Sequence, residues 1–378
     1  MHSSQAPAGT DRADAQASPA ARHTPPGPVP AGGGSAVRTA AIVSGLSAVL
    51  VGSIVLAVGL GPATVPPGDT ARYLWAALTG GTITPGELSS YQIVWQVRTP
   101  RVLLAAVVGA GLSAVGVAVQ AMVRNALADP FILGISSGAS VGAVAVGSTG
   151  ALAALGIYAV SAGAFGGALL ASVLVYVAAR SRTGITPLRL VLTGVAMSFA
   201  FQAIMSVIIY LVPDSESTST VLYWTMGSFG AATWGSLPVV VVTVLIGLVI
   251  LHRHSRGLDV MSLGDETAAS LGVDTVRLRK GLFVLTAVMT GTTVAVSGAI
   301  GFTGLVIPHL VRIVAGAGHA RVLTFAPLAG AIFMVWVDLV SRTLVAPREL
   351  PLGVITALIG VPVFITLMRR RGYLFGGR

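Results

Sequence analysis

The chain has 378 residues, of which 54% are hydrophobic and only 10% charged, with a formal net charge of +10 and a mean hydropathy of +0.86. A soluble enzyme of this length would carry far more charge, and a transmembrane β-barrel would alternate in segments of about ten residues. With no cysteine in the sequence, disulfides and thiolate ligands are excluded.

Residues 1–37 are rich in Ala, Pro, Gly and Ser, which predicts a disordered cytoplasmic tail. The apolar core begins only after Arg38, too late for a secretory signal, so 39–61 is expected to be a retained first span. Long uncharged runs follow at 102–123, 130–179, 190–213, 217–252, 281–311, 322–337 and 350–368. One crossing of a bilayer core about 30 Å thick takes roughly 20 apolar residues.

Arg12, Arg22 and Arg38 before the first run, and Arg369, Arg370 and Arg371 after the last, place both termini in the cytoplasm. That requires an even number of crossings. Splitting 130–179 and the stretch from Lys280 to Arg321 into two passes each gives ten. The expected spans are 39–61, 100–123, 131–149, 155–179, 188–212, 234–252, 281–300, 303–319, 323–345 and 351–368. The fold class is thus an all-α polytopic membrane protein, with a permease domain over 38–372 and a large inner loop at 253–280. Five arginines fall outside: Arg72, Arg98, Arg101, Arg342 and Arg348.

The segment WQVRTPR (Trp95–Arg101) enters the second span. Pro100 suits a first helical turn, where its missing N–H costs nothing. Arg98 and Arg101 are expected on one outer face, either snorkelling at the interface or forming a positive docking patch for an acidic partner. Arg342 sits four residues after Asp338 and is placed to pair with it. RNALADPFILGISSGAS (Arg124–Ser140) reads as an inner turn at Asp129-Pro130 followed by a span. Gly134, Gly138 and Gly142 are expected to form one close-packing stripe on it.

In the inner loop, Asp265 and Glu266 suit a helix start, Thr267–Leu271 a short helix and Gly272 its stop. That helix either lies on the membrane or serves as the lever a cytoplasmic motor grips. GAIGFTGLVIPHLVR (Gly298–Arg312) has glycines dense enough to break the helix. Its His309 lacks the convergent ligands that a metal site needs, and no metal site is expected. The only lysine, Lys280, is not followed by Ser or Thr, so no P-loop exists and ATP-driven work falls to a partner. Few acidic residues lie between the membrane faces, which disfavours an ion relay and suits a neutral conduit.

Taken in order, WQVRTPR, QAMVRNALADPFILGISSGA, LGDETAASLGV, SGAIGFTGLVIPHLVR, DLVSR and ELPLGVITALIGVPVF resemble the FecCD-type permeases over about 40–370. These are membrane subunits of ABC importers for iron–siderophores, haem and vitamin B12. The resemblance implies the type II importer fold: ten helices per subunit in the bacterial plasma membrane. It also implies a second permease subunit (the same chain or a paralogue), two cytoplasmic ATPases that carry ATP and Mg, and an extracytoplasmic binding lipoprotein. No cofactor on this chain and no nucleic-acid partner are expected. Arg98, Arg101 and Arg342 match arginines that meet acidic residues of the binding protein. Gly264, Asp265, Glu266, Ala268, Ala269, Leu271 and Gly272 match the coupling helix seated in the ATPase. Met197, Gln202 and Thr356 are candidates for the pathway. The expected function is import of a ferric siderophore, with vitamin B12 or haem as the rival cargo. An ion-coupled secondary transporter is the rival of another class, and a receptor or purely structural membrane protein a third.

Overall fold

The computed structural model describes residues 33–181, 184–211 and 223–369. The chain divides into a unit over 1–41 and a unit over 42–378. Of the first unit only 33–41 are described, and they are helical. The tail expected over 1–37 therefore lies outside the described residues except for 33–37, and everything below concerns the second unit.

The described residues form helices and no strands beyond one isolated bridge, Ser181 to Gly184. In chain order the α-helices are α1 (Gly33–Gly59), α2 (Pro67–Thr79), α3 (Leu88–Gln92), α4 (Thr99–Val123), α5 (Ile135–Thr149), α6 (Ala159–Ala179) and α7 (Pro187–Leu211). They continue with α8 (Leu237–Arg253), α9 (Ser255–Ser262), α10 (Asp265–Ser270), α11 (Thr275–Ser297), α12 (Thr303–Ala315), α13 (His319–Thr343) and α14 (Leu352–Arg369). A helix occupies each of the ten stretches expected to span. Among the described residues, six helical segments are long and apolar enough to cross a bilayer alone, the bent pair α8–α9 counts as a seventh if taken as one span, and α12 and α14 are shorter apolar helices.

α4 is the centre of the bundle. It is apolar all round and buried along nearly its whole length, as expected of a helix surrounded by other helices. Its N-terminal half belongs to one hydrophobic cluster with Phe229, Val240 and Met334. Its C-terminal half belongs to another with Leu258, Met289 and Val322. Small residues set the approach: a Cβ on Gly116 would collide with the Gly304 backbone, and one on Gly109 with that of Gly330. Without a hydrophobic drive between helices in lipid, such contacts and interhelical hydrogen bonds hold the bundle. Gln120 Nε2 donates to Leu305 O at 3.1 Å and Gly304 O at 3.3 Å, tying α4 to α12. Trp336 Nε1 donates to Ser53 Oγ at 3.1 Å, tying α13 to α1.

Two local expectations need correction. Pro100 does stand in the first turn of α4, as expected, although a π-helical turn (Ile93–Arg98) runs directly into that helix. The wider turn absorbs the proline, which has no N–H to give, and Thr99 Oγ1 donates instead to Val94 O at 2.7 Å. Gly134 is not on the α5 stripe. It sits before the helix with φ 73°, ending a 3-10 turn (Pro130–Leu133), a conformation that favours glycine. Gly138 and Gly142 do pack closely within the chain, against Gly163 and Gly167 of α6. The helix carrying the first span starts at Gly33, and its apolar stretch covers Val37–Gly59 where 39–61 was expected.

Elsewhere the glycine-rich break behaves as expected. α11 ends at Ser297, Gly298 takes φ 66°, and α12 begins at Thr303.

Candidate functional site

The π turn leading into α4, the N-terminal end of α4 and the C-terminal end of α13 bring Arg98, Arg101, Arg342 and Asp338 together with Glu349 from the following loop. Arg98 donates to Gly59 O at 2.9 Å, to Val58 O at 3.3 Å and to Ala63 O. Arg342 donates to Leu60 O at 2.8 Å and to Ala57 O. Two arginines from different helices thus cover the C-terminal end of α1, where unpaired carbonyls carry the negative end of the helix dipole. Arg101 Nε donates to Asp338 Oδ1 at 2.8 Å, and its two terminal nitrogens grip both oxygens of Glu349 at 2.6 and 2.9 Å. Arg342 Nε lies 3.2 Å from Asp338 Oδ2, an ion pair without hydrogen-bond geometry.

This arrangement corrects the expectation of exposed arginines sharing one outer face. Arg98, Arg101 and Arg342 are 3, 6 and 3% exposed. A buried guanidinium is tolerated only where acceptors surround it, and here the α1 carbonyls and two carboxylates do so. The Asp338–Arg342 pairing read from their spacing is present. Glu349, whose side chain is 29% exposed, was missed. Its signal was available in the sequence, since it is one of very few acidic residues near an outer helix end.

Near the C-terminal end of α4, α10 is the short helix foreseen at 265–271. Gly264 (φ 109°) and Gly272 (φ 78°) bracket it. Asp265 Oδ1 accepts from Arg279 at 2.7 Å, and Arg279 also donates to Ile185 O at 2.9 Å. Asp265 Oδ2 lies 3.9 Å from Arg124, the residue that ends α4. Ala268 is buried, whereas Glu266, Ala269, Leu271 and Gly272 are exposed. One face of α10 is therefore anchored on the bundle and the other is free to meet a partner. Arg124 and Arg279 are the anchoring residues that sequence reasoning passed over.

Two adjoining cavities of about 280 and 450 Å³ share Phe131, Thr225 and Ala299. Gln202 of α7 lines the smaller one, and Gly353, Val354, Ala357 and Leu358 of α14 line the larger. Met197 instead packs against the core, and Thr356 is fully buried with its hydroxyl on Gly353 O at 3.1 Å. Neither lines these cavities. A further cavity of about 570 Å³ lies beside Tyr158, Trp224 and Ser297. Among the described residues no group of three or more His, Asp or Glu side chains is placed to hold a metal ion.

A charge cluster at one end of a central helix, an anchored short helix at the other and cavities between are the parts of a transport subunit. The family model of the FecCD transport family matches residues 49–370. The chain belongs to the FecCD transport family. It is 39% identical over 302 residues to the hemin transport system permease protein HmuU of Yersinia pestis, covering 79% of this chain and 88% of that protein. It is 34% identical over 330 residues to the Fe(3+) dicitrate transport system permease protein FecD of Escherichia coli K12, covering 87% and 98%. A solved structure described as an inward-facing conformation of a metal-chelate type ABC transporter matches with a TM-score of 0.74 and 34% identity, over 86% of this chain and 98% of that one. FecCD members are membrane permease subunits of ABC transporters, and this chain is a multi-pass membrane protein.

Proposed function

We propose that the chain is the translocation subunit of a binding-protein-dependent importer that carries a ferric siderophore into the cytoplasm. It crosses the bacterial plasma membrane ten times with both termini inside. It pairs with a second permease subunit, two ATPases and an extracytoplasmic lipoprotein. The observation that supports this best is the layout of α4. Its outer end holds Arg101, whose fork is covered only by the half-exposed Glu349. Its inner end holds Arg124 against Asp265 of the protruding α10. A carboxylate on the binding protein has a cation to address at one mouth, and an ATPase has a helix to grip at the other.

In this reading docking is centred on Arg101, with Arg98 and Arg342 setting its electrostatic field from behind. α10 receives the stroke of the ATPase through Glu266, Ala269, Leu271 and Gly272. Nucleotide does the driving, because only a ligand with different affinity for the inward- and outward-open states can bias one against the other. The cavity walls carry no carboxylate, which suits a cargo whose metal is already wrapped.

Proteoliposomes containing the chain with its ATPase and binding protein are expected to accumulate a ferric siderophore only with ATP inside. Accumulation of hemin or cobalamin in its place would move the cargo to the rival reading. Concentrative uptake by the chain alone under an ion gradient would overturn the importer.

A further inference from the structure

The smaller of the two adjoining cavities has a wall that the conduit reading leaves unexplained. Its floor is the first turn of α5, which contributes Ser136, Ser137 and, one turn on, Ser140; Gln202 faces them from α7. Ser136 is 1% exposed and its Oγ has no hydrogen-bond partner. A buried hydroxyl left unpaired costs about 1–3 kcal/mol, so such a group calls for an explanation. Ser140, by contrast, is satisfied by Ser136 O at 3.1 Å.

The chain turns at Gly134, so α5 starts afresh at Ile135. Its first-turn N–H groups lack acceptors within the helix, and the positive end of the dipole of a 15-residue helix lies there. No charged side chain lines the cavity. Asp129, at the start of the preceding turn, is engaged by the N–H groups of Phe131 and Phe302 and is not part of the wall.

We propose that this cavity is a transient binding site for the oxygen-rich, anionic part of a metal chelate, a carboxylate-bearing group above all. The proposal rests on the importer reading and names the cargo chemistry it favours. The donors are a helix N-terminus, the Ser136 and Ser137 hydroxyls and the Gln202 amide. They suit negative charge spread over several oxygens. A bare metal cation finds no carboxylate here. At about 280 Å³ the site takes one ligating arm of a chelate, and the adjoining 450 Å³ cavity has room for more of it. With neutral donors only, the hold is weak enough to release, which a conduit requires.

The absence of native cysteine gives a direct test in the full chain in lipid nanodiscs. Met205→Cys provides a single thiol in the wall of the site, and Thr225→Cys a second probe, neither of them a proposed donor. Tyr158→Cys reports on the separate cavity. Thiol labelling rates are measured with ferric citrate, with neutral cyanocobalamin and with cationic hexaamminecobalt as the added probes. Ferric citrate is expected to slow labelling at positions 205 and 225 but not 158, while the other two leave all three unchanged. Adding Ser136→Ala to either site probe should raise the half-protecting citrate concentration about threefold to tenfold, the loss of one hydrogen bond. Equal protection by all three probes, no protection by ferric citrate, or indifference to Ser136→Ala would overturn the site. Because no ATPase is present, any of these results leaves ATP-driven uptake as a separate question.

Discussion

Arg101 and Asp338 are 237 positions apart, yet Nε of one donates to Oδ1 of the other at 2.8 Å, with side-chain exposures of 7 and 0%. This contact joins the N-terminal end of the central helix α4 to the C-terminal end of α13. Taking one charge from such a pair leaves the other buried and uncompensated, at a cost of about 3–5 kcal/mol. Arg101→Gln and Asp338→Asn are each expected to lower the unfolding midpoint in detergent. The double variant Arg101→Met with Asp338→Leu should lose clearly less than the sum. Additive losses would show that the two residues do not act as a unit.

Glu349 occupies the fork of Arg101 where an external carboxylate would bind. Glu349→Gln should therefore tighten docking of an acidic binding protein, whereas Arg98→Glu with Arg101→Glu should weaken it. Wild-type affinity should fall as salt rises. Surface plasmon resonance on nanodiscs at low and high salt reads both. In the same Glu349→Gln variant, amide exchange at Leu350 and Leu352 should quicken, since Leu350 N on Ser341 O and Leu352 N on Gly227 O anchor the adjoining backbone.

Asp265 holds α10 by Arg279 and Arg124. Asp265→Asn should leave assembly with the ATPase intact but reduce uptake per ATP hydrolysed. A Gly/Ser linker in place of Asp265–Leu271 should uncouple the two entirely. Leu271→Ser, on the exposed face, should weaken ATPase binding without changing the stability of the isolated chain. Normal stimulated uptake in the linker variant would refute the coupling role.

Arg72, on α2, donates to Asp69 at 2.9 Å and also to Glu87, and Glu87 first, then Asp69, raise the pKa of its guanidinium above its ordinary value. The group is exposed, so the pair is screened by salt and adds little to global stability. Arg72→Gln is expected to leave the unfolding midpoint unchanged and to speed amide exchange only around Thr84–Leu88, where Thr84 and Glu87 cap a short turn.

Gly142→Ala would drive a Cβ into the Gly163 backbone, while Gly147→Ala on the same helix meets nothing within 4 Å. The first should destabilise, with overpacking costing about 1–3 kcal/mol or more. The second should stabilise slightly through helix propensity. Equal midpoints for the two would mean that α5 and α6 are not packed as described.

The helices were legible because lipid demands long uncharged runs, and the breaks because Gly298 and Asp129-Pro130 punctuate them. α10 was legible from Asp265, Glu266 and Gly272, whose end preferences are local. The burial of Arg98 and Arg342 was not. Their acceptors are backbone carbonyls of α1, which carry no sequence signature and become neighbours only through tertiary packing. The π turn before α4 was missed for a similar reason, since Pro100 fits both a helix start and a widened turn. That Met197 and Thr356 lie off the two adjoining cavities was not legible either, because a helix in a bundle has several polar or soft positions. Only the rotation of α7 and α14 decides which of them point inward.

The π turn at Ile93–Arg98 has a mechanical consequence. α4 is 25 residues long, about 37 Å at 1.5 Å per residue, and clamped on all sides, so it transmits displacement as a stiff rod. The wide turn at its head is the compliant joint. A pull applied above Ile93 is partly spent in rewinding that turn, and one applied at Arg101 or below is not.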